Sequence, residues 1–132
     1  MSKMQRLAAG LAASALIALV GPSPAPAQDP AVVNAKTIWV KLENDRVRVL
    51  EAVLKPGDKE KMHSHPQYVI YVITGGKVRT HGADGTTTEA EMKDGDVLYR
   101  GPLTHWAENI GTTTIHLMLV ELKGTSGGSG AP

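Results

Sequence analysis

The feature that most constrains the fold is a series of short, β-rich segments between residues 37 and 123, separated by turn signals about every ten residues. No helical hydrophobic period runs through this part of the chain. The predicted strands are 37–42, 46–55, 68–73, 77–81, 86–92, 97–100 and 113–122. Gly57, Gly76 and Gly95 lie at predicted turns, where we expect a positive φ. The pattern indicates an all-β domain of about eight strands.

A sheet this small has many edges relative to its core, and closure into a barrel or a double-sheet jelly roll protects them best. The chain contains two Trp, three Tyr and no Phe, so we expect a core of Val, Ile and Leu. A barrel of about eight strands has room for side chains or for one small ligand. A site inside it must be built from side chains that point inward, and these alternate along each strand.

The composition excludes several classes of function. The 132-residue chain has no Cys, which rules out disulfides, thiolate zinc sites, iron–sulfur clusters and a cysteine nucleophile. It has 14 Lys and Arg against 13 Asp and Glu, a formal net charge of +1. Nucleic-acid affinity comes from many basic side chains on one face, so we expect no nucleic-acid partner.

The N-terminal segment 1–27 has the pattern of a secretory signal peptide. Lys3 and Arg6 precede an apolar stretch at 7–20, and Ala25-Pro26-Ala27 fits a cleavage site, with cleavage before Gln28. An uncleaved anchor is the alternative, but these 14 residues would span only about 21 Å of a hydrocarbon core of about 30 Å. We therefore predict a secreted or periplasmic bacterial protein without a stable membrane anchor. The mature chain divides into a lead-in at 28–36, a domain at 37–123 and a flexible tail at 124–132.

All five histidines lie between residues 63 and 116, and two of them form a His-x-His pair. On an extended strand the side chains of His63 and His65 leave the same face, with Cα atoms about 6 to 7 Å apart. Both rings can then converge on one metal ion. Alone, the pair could equally be two exposed histidines near a strand end.

Two sequence blocks surround these histidines, and together they resemble the motifs of the cupin superfamily. The first block matches at Gly57, His63, His65 and Gly76, and the second at Gly95, His105 and Asn109, with a displaced Pro102. The resemblance covers about residues 37 to 122. It implies a cupin-type double-stranded β-helix, or jelly-roll barrel, and a homodimer. It also implies that His63, His65 and His105 bind a divalent transition metal such as Fe, Mn, Ni, Cu or Zn.

The chain departs from the cupin pattern at the metal-binding carboxylate. Where the family has Glu, four or five places after the second histidine, this sequence has Val69 and Ile70. Counting along an unbroken strand from His63 and His65 predicts that Gln67 and Tyr71 point inward, as a possible fourth ligand or as cavity residues.

The remaining histidines and the residues around the second block have weaker claims to a function. His81 and His116 are predicted to be half-buried or surface residues, although His116 on the last strand can alternatively line the cavity. Tyr99, Arg100 and Trp106 are predicted to be packing residues; alternatively, Tyr99 lines the cavity, and Tyr99 or Arg100 orients an anionic substrate.

The resemblance implies a metal-dependent enzyme acting on a small-molecule ligand. A dioxygenase-like oxidoreductase is one possibility, because thiol dioxygenases are cupins that use three histidines without the Glu. Isomerases and lyases are equally compatible. The alternatives are a non-catalytic periplasmic module that binds a metal or small ligand, and a metal that only stabilises the fold. Glu51, Glu60 and Glu108 are candidate acids or bases without an assigned place, so the catalytic residues stay unassigned.

Overall fold

The computed structural model describes residues 28–124, which form nine strands and one short helix. The predicted signal peptide and residues 125–132 of the predicted tail lie outside the described residues. The elements are α1 (Pro30–Val33), β1 (Ile38–Glu43), β2 (Val47–Leu54), β3 (His63–His65), β4 (Tyr68–Thr74), β5 (Gly76–Gly82), β6 (Thr87–Met92), β7 (Val97–Arg100), β8 (Leu103–Asn109) and β9 (Ile115–Leu122). Within 28–124, no helix is long and apolar enough to cross a membrane.

The strands form two antiparallel sheets. The large sheet has the order β1-β2-β9-β4-β7, and the small sheet has the order β3-β8-β5-β6. Alternate residues of β2 and β9 are buried, which places the core between the sheets. The core consists of Ile38, Leu50, Ala52, Leu54, Tyr68, Ile70, Val72, Val78, Ala107, Ile115, Leu117 and Leu119. The prediction of an all-β jelly roll with an aliphatic core is confirmed.

Strand β8 has no counterpart among the strands predicted from the sequence, although it carries His105. Its inward positions include His105 and Asn109, whose buried polar side chains remove the usual apolar alternation. Strand β8 therefore lacks the alternation of apolar and polar residues by which a half-buried strand is recognised in a sequence.

The lead-in at 28–36 is more ordered than its polar composition predicts. Asp29 caps α1, because its Oδ1 accepts the Ala31 N–H at 2.9 Å, and it also forms an ion pair with Arg48 at 2.9 Å. Asn34 is buried, and its Oδ1 accepts the Lys61 N–H at 2.7 Å, just before β3. These contacts fix the lead-in beside the strand that carries the His-x-His pair.

The three glycines predicted to need positive φ divide into two kinds. Gly57 and Gly95 both have φ of +85°, as predicted. Gly76 does not have positive φ, so that prediction is wrong. A Cβ on Gly76 would lie 2.7 Å from Thr113 Oγ1 and 2.9 Å from Ile115 Cγ1, so close packing at the start of β5 explains this glycine.

Asn109, at the end of β8, connects three segments of backbone. Its Nδ2 donates to the carbonyls of Leu54 at 2.9 Å and Thr113 at 2.7 Å, and its Oδ1 accepts the Gly111 N–H at 3.0 Å. The side chain is only 2% exposed, so water cannot replace these bonds. Asn109 therefore joins the end of β2 to the loop between β8 and β9.

The substitution Asn109→Ala should lower the free energy of unfolding by about 3 kcal/mol or more, because it leaves buried backbone groups without partners. Urea denaturation measures the loss. Asn44→Ala is the control, since Asn44 accepts the N–H groups of Arg46 and Val47 in an exposed turn. The control should lose less than about 1 kcal/mol, and equal losses in the two variants would contradict the assignment.

Candidate metal centre

Three histidines meet inside the barrel. His63 and His65 come from β3, and His105 lies directly opposite His63 on β8. Each ring offers one nitrogen atom, and these three atoms all lie within 4.8 Å of one another. The three predicted ligands are thus brought together, and they could hold a metal ion.

The spacing of the imidazole rings fits a shared metal ion. The ring centroid of His63 lies 4.8 Å from the centroids of His65 and of His105, and the centroids of His65 and His105 are 5.3 Å apart. A bound imidazole has its centroid about 3.2 Å from the ion. The centroids of two such rings are then about 4.5 Å apart when the two ion–nitrogen bonds are at right angles, and about 5.2 Å apart when they meet at the tetrahedral angle.

Hydrogen bonds occupy the Nδ1 atoms of His63 and His65 but neither ring nitrogen of His105. His65 Nδ1 donates to Glu121 Oε1 at 2.7 Å, because a carboxylate only accepts. His63 Nδ1 lies 2.7 Å from the Lys61 carbonyl and 3.0 Å from the donor Nδ2 of Asn34, and the shorter contact is the one in which Nδ1 carries the proton. The Nε2 lone pairs of His63 and His65 are therefore free to bind a cation. Both nitrogens of His105 are buried and have no partner among residues 28–124. A metal ion would satisfy this otherwise unpartnered ring.

Burial also keeps these rings uncharged. Loss of solvent lowers the pKa of His63 to about 4. The pKa of His105 falls to about 3, chiefly through burial and further through the neighbouring His63 and His65. Both rings are therefore neutral near pH 7, which is the form that binds metals.

Sequence reasoning left two neighbours of the histidines without a role. Glu60 lies in the loop before β3, and burial raises the pKa of its carboxyl to about 7. Tyr68 stacks on His65 with ring centroids 4.5 Å apart, and burial raises the pKa of its hydroxyl. Nothing in the sequence marks Glu60, because the loop 55–62 has no periodic pattern from which to read its direction.

A cavity of about 280 Å³ extends from the three histidines into the barrel. Its wall also carries Glu60, Tyr68 and Arg100, together with apolar side chains such as Ile70, Leu98 and Leu117. The volume is at the small end of the range for ligand pockets. Glu91 and Arg100 are lining residues exposed to solvent, so the open side of the cavity carries charges of both signs.

The prediction that Gln67 and Tyr71 share the inward face of the histidine pair is wrong. The strand breaks at Pro66, since β3 belongs to the small sheet and β4 to the large sheet. Across this break the inward positions change from odd to even numbers, and Tyr68 and Ile70 are buried. Tyr71 is 49% exposed, and the half-buried Gln67 accepts a hydrogen bond from the Tyr99 hydroxyl through its side chain.

Tyr99 and His116 also lie outside the cavity. Tyr99 is 58% exposed, and its neighbours Leu98 and Arg100 line the cavity instead. His116 alternates with the inward residues of β9, and its Nε2 lies 2.7 Å from Glu51 on the outer face. The alternative that gave these two residues a place in the cavity is therefore wrong. His81 stacks on Trp106 with centroids 3.7 Å apart and is half-buried, as predicted.

Glu121 orients His65 and should matter for metal affinity. Partners that hold a ligating histidine typically change metal affinity by about 10- to 100-fold when they are lost. We expect Glu121→Gln to lower the affinity for Co²⁺ at least tenfold, as measured by competition with a fluorescent chelator. Glu51→Gln is the matched control, because Glu51 makes the same 2.7 Å contact to His116 on the outer face. Similar affinities for Glu121→Gln and the control would contradict this role.

Comparison with known structures places the chain among proteins of one fold. A cupin domain from Bordetella pertussis Tohama I is 25% identical with a TM-score of 0.61, covering 66% of this chain and 92% of that chain. An uncharacterized conserved protein with a double-stranded β-helix domain from Klebsiella pneumoniae is 30% identical with a TM-score of 0.54, and the match covers 67% of this chain and 76% of that chain. An RmlC-like cupin from Methanocaldococcus jannaschii is 19% identical with a TM-score of 0.52, and the match covers 67% of this chain and 83% of that chain. No protein-family model and no curated protein matches the sequence.

Proposed function

Since this chain belongs to the cupin superfamily, we propose that it binds one divalent transition metal ion through its three inward histidines and acts with it on a small molecule. The observation that carries the proposal is His105, whose two buried nitrogens have no partner in the described part of the chain. The tautomers of His63 and His65 support it, because each leaves Nε2 free.

The residues around the histidines suit a small and partly polar ligand. When bound, the ion supplies Lewis-acid polarisation or, if it is iron, redox chemistry with oxygen. The apolar wall near Leu98 and Leu117 excludes water from the ligand. The Tyr68 hydroxyl stays protonated and can donate a hydrogen bond, and Arg100 on the open side can bind an anionic group.

Metal loading followed by turnover tests this proposal. Protein refolded with each of Fe²⁺, Mn²⁺, Ni²⁺, Cu²⁺ and Zn²⁺ should retain about one equivalent of at least one ion by elemental analysis. Less than about half an equivalent of every ion would contradict metal binding. Oxygen uptake by the iron-loaded protein with thiols, diketones and phenols then tests for oxidoreductase activity. No uptake, and no turnover with other metals, would favour a non-catalytic binding module.

A further inference from the structure

We propose that Glu60 supplies the carboxylate ligand of the metal site, from the loop before the His-x-His pair rather than from the strand after it. This inference rests on the proposed function, because it assigns a further ligand to the same ion. It explains how the chain can lack a carboxylate at Val69 and Ile70 and still offer one at the site.

The backbone places Glu60 beside the histidines. Its N–H donates to the Ala107 carbonyl at 2.9 Å, and its Oε2 accepts the Ala107 N–H at 3.0 Å. Ala107 follows His105 by two residues on the inward side of β8, so these bonds hold Glu60 beside the part of β8 that carries His105. Its side chain lines the cavity together with the three histidines.

No Lys or Arg among residues 28–124 balances the charge of Glu60. Its side chain is only 7% exposed, and within residues 28–124 its carboxylate accepts a single hydrogen bond, from Ala107. No Lys or Arg of the described chain forms an ion pair with it. Burying a carboxylate without a cation or several hydrogen bonds is costly, and a divalent ion would remove that cost.

The distance to His63 fits two ligands of one ion. Glu60 Oε2 lies 3.8 Å from His63 Nε2, which is too long for a hydrogen bond between them. Two ligand atoms, each about 2.1 Å from a shared ion, are about 3.0 Å apart at right angles and about 4.2 Å apart on opposite sides. Glu60 Oε2 can therefore share an ion with His63 without a large change in structure.

The substitution Glu60→Gln tests the inference, because the amide oxygen can still accept the Ala107 N–H but carries no charge. We expect the affinity for Co²⁺ to fall on the order of tenfold or more by competition with a fluorescent chelator. The visible d–d spectrum of the Co²⁺-loaded protein should also change, since a carboxylate oxygen leaves the coordination sphere. Circular dichroism and urea denaturation check that the variant is folded, and Glu60→Ala should give the same loss of affinity.

Glu108→Gln is the matched control. It removes the same charge one residue beyond Ala107, but Glu108 contacts Lys59, Arg79 and His81 on the outer face. An equal loss of affinity in both variants, or an unchanged Co²⁺ spectrum in Glu60→Gln, would overturn the assignment of Glu60 as a ligand. Wild-type protein that binds no metal would overturn the proposed function as well. Tight binding by wild type and by Glu60→Gln alike would overturn only the role of Glu60.

Discussion

His105→Ala should lower the affinity for a divalent transition metal by more than about a hundredfold while the protein stays folded. Loss of a residue that only orients a ligand costs about 10- to 100-fold, so loss of a ligand itself should exceed this. The apo protein should lose little stability, because the removed ring has two buried nitrogens without partners in the described chain. Isothermal titration calorimetry with Co²⁺ and Zn²⁺ measures the affinity.

Two other histidines of the chain serve as matched controls. His81 stacks on Trp106 and His116 pairs with Glu51, and both lie on outer faces of the sheets. His81→Ala and His116→Ala should therefore keep wild-type affinity and stoichiometry. If His105→Ala also kept them, the three inward histidines would not be the metal site.

Without metal, the free energy of unfolding should fall by about 1.4 kcal/mol per pH unit between about pH 6 and pH 5. The pKa values of His63 and His105, about 4 and about 3 in the folded protein, lie below the unfolded value of 6.5. The unfolded chain then binds two more protons at these sites, which destabilises the fold as pH falls. Glu60 acts oppositely, because its folded pKa of about 7 lies above 4.5 and the folded state binds one more proton. The net difference is about one proton.

Glu60→Gln removes the opposing contribution, so its apo form should show about twice the slope, about 2.7 kcal/mol per pH unit. Urea denaturation of chelator-treated protein at several pH values between 5 and 6 measures both slopes. The lowered pKa values of Asp29, Glu51, Asp84 and Glu108 affect stability mainly below this window, and near pH 5 the two Glu residues add to the fall. A flat pH dependence in both proteins would show that His63 and His105 are not buried as neutral rings.

Local rules were sufficient to predict the all-β fold and the shared face of His63 and His65. Strand alternation and turn signals are local, and the His-x-His pair lies within a single strand, so its geometry follows from the two-residue period. The position of His105 opposite His63 does not follow from local rules. It came from the resemblance of the two sequence blocks to the cupin motifs.

The residues that were predicted to lie on the wrong face follow a break between two strands. The break at Pro66 moves the chain from the small sheet to the large sheet, so counting from His65 to Tyr71 gave the wrong face. Glu60 lies in a loop, where no period assigns a direction. Glu121 was recognisable in principle, because it continues the inward series Ile115, Leu117 and Leu119 of β9 and a buried acid at such a position needs a partner.

The hydrogen bond between His65 and Glu121 joins the two sheets, because β3 belongs to the small sheet and β9 to the large sheet. An ion bound to His65 is therefore connected through one imidazole to both halves of the barrel. The sheets cannot separate at this point while that imidazole keeps both contacts. Parting of the sheets here would break the hydrogen bond that orients His65, so opening of the barrel at this point would weaken metal binding.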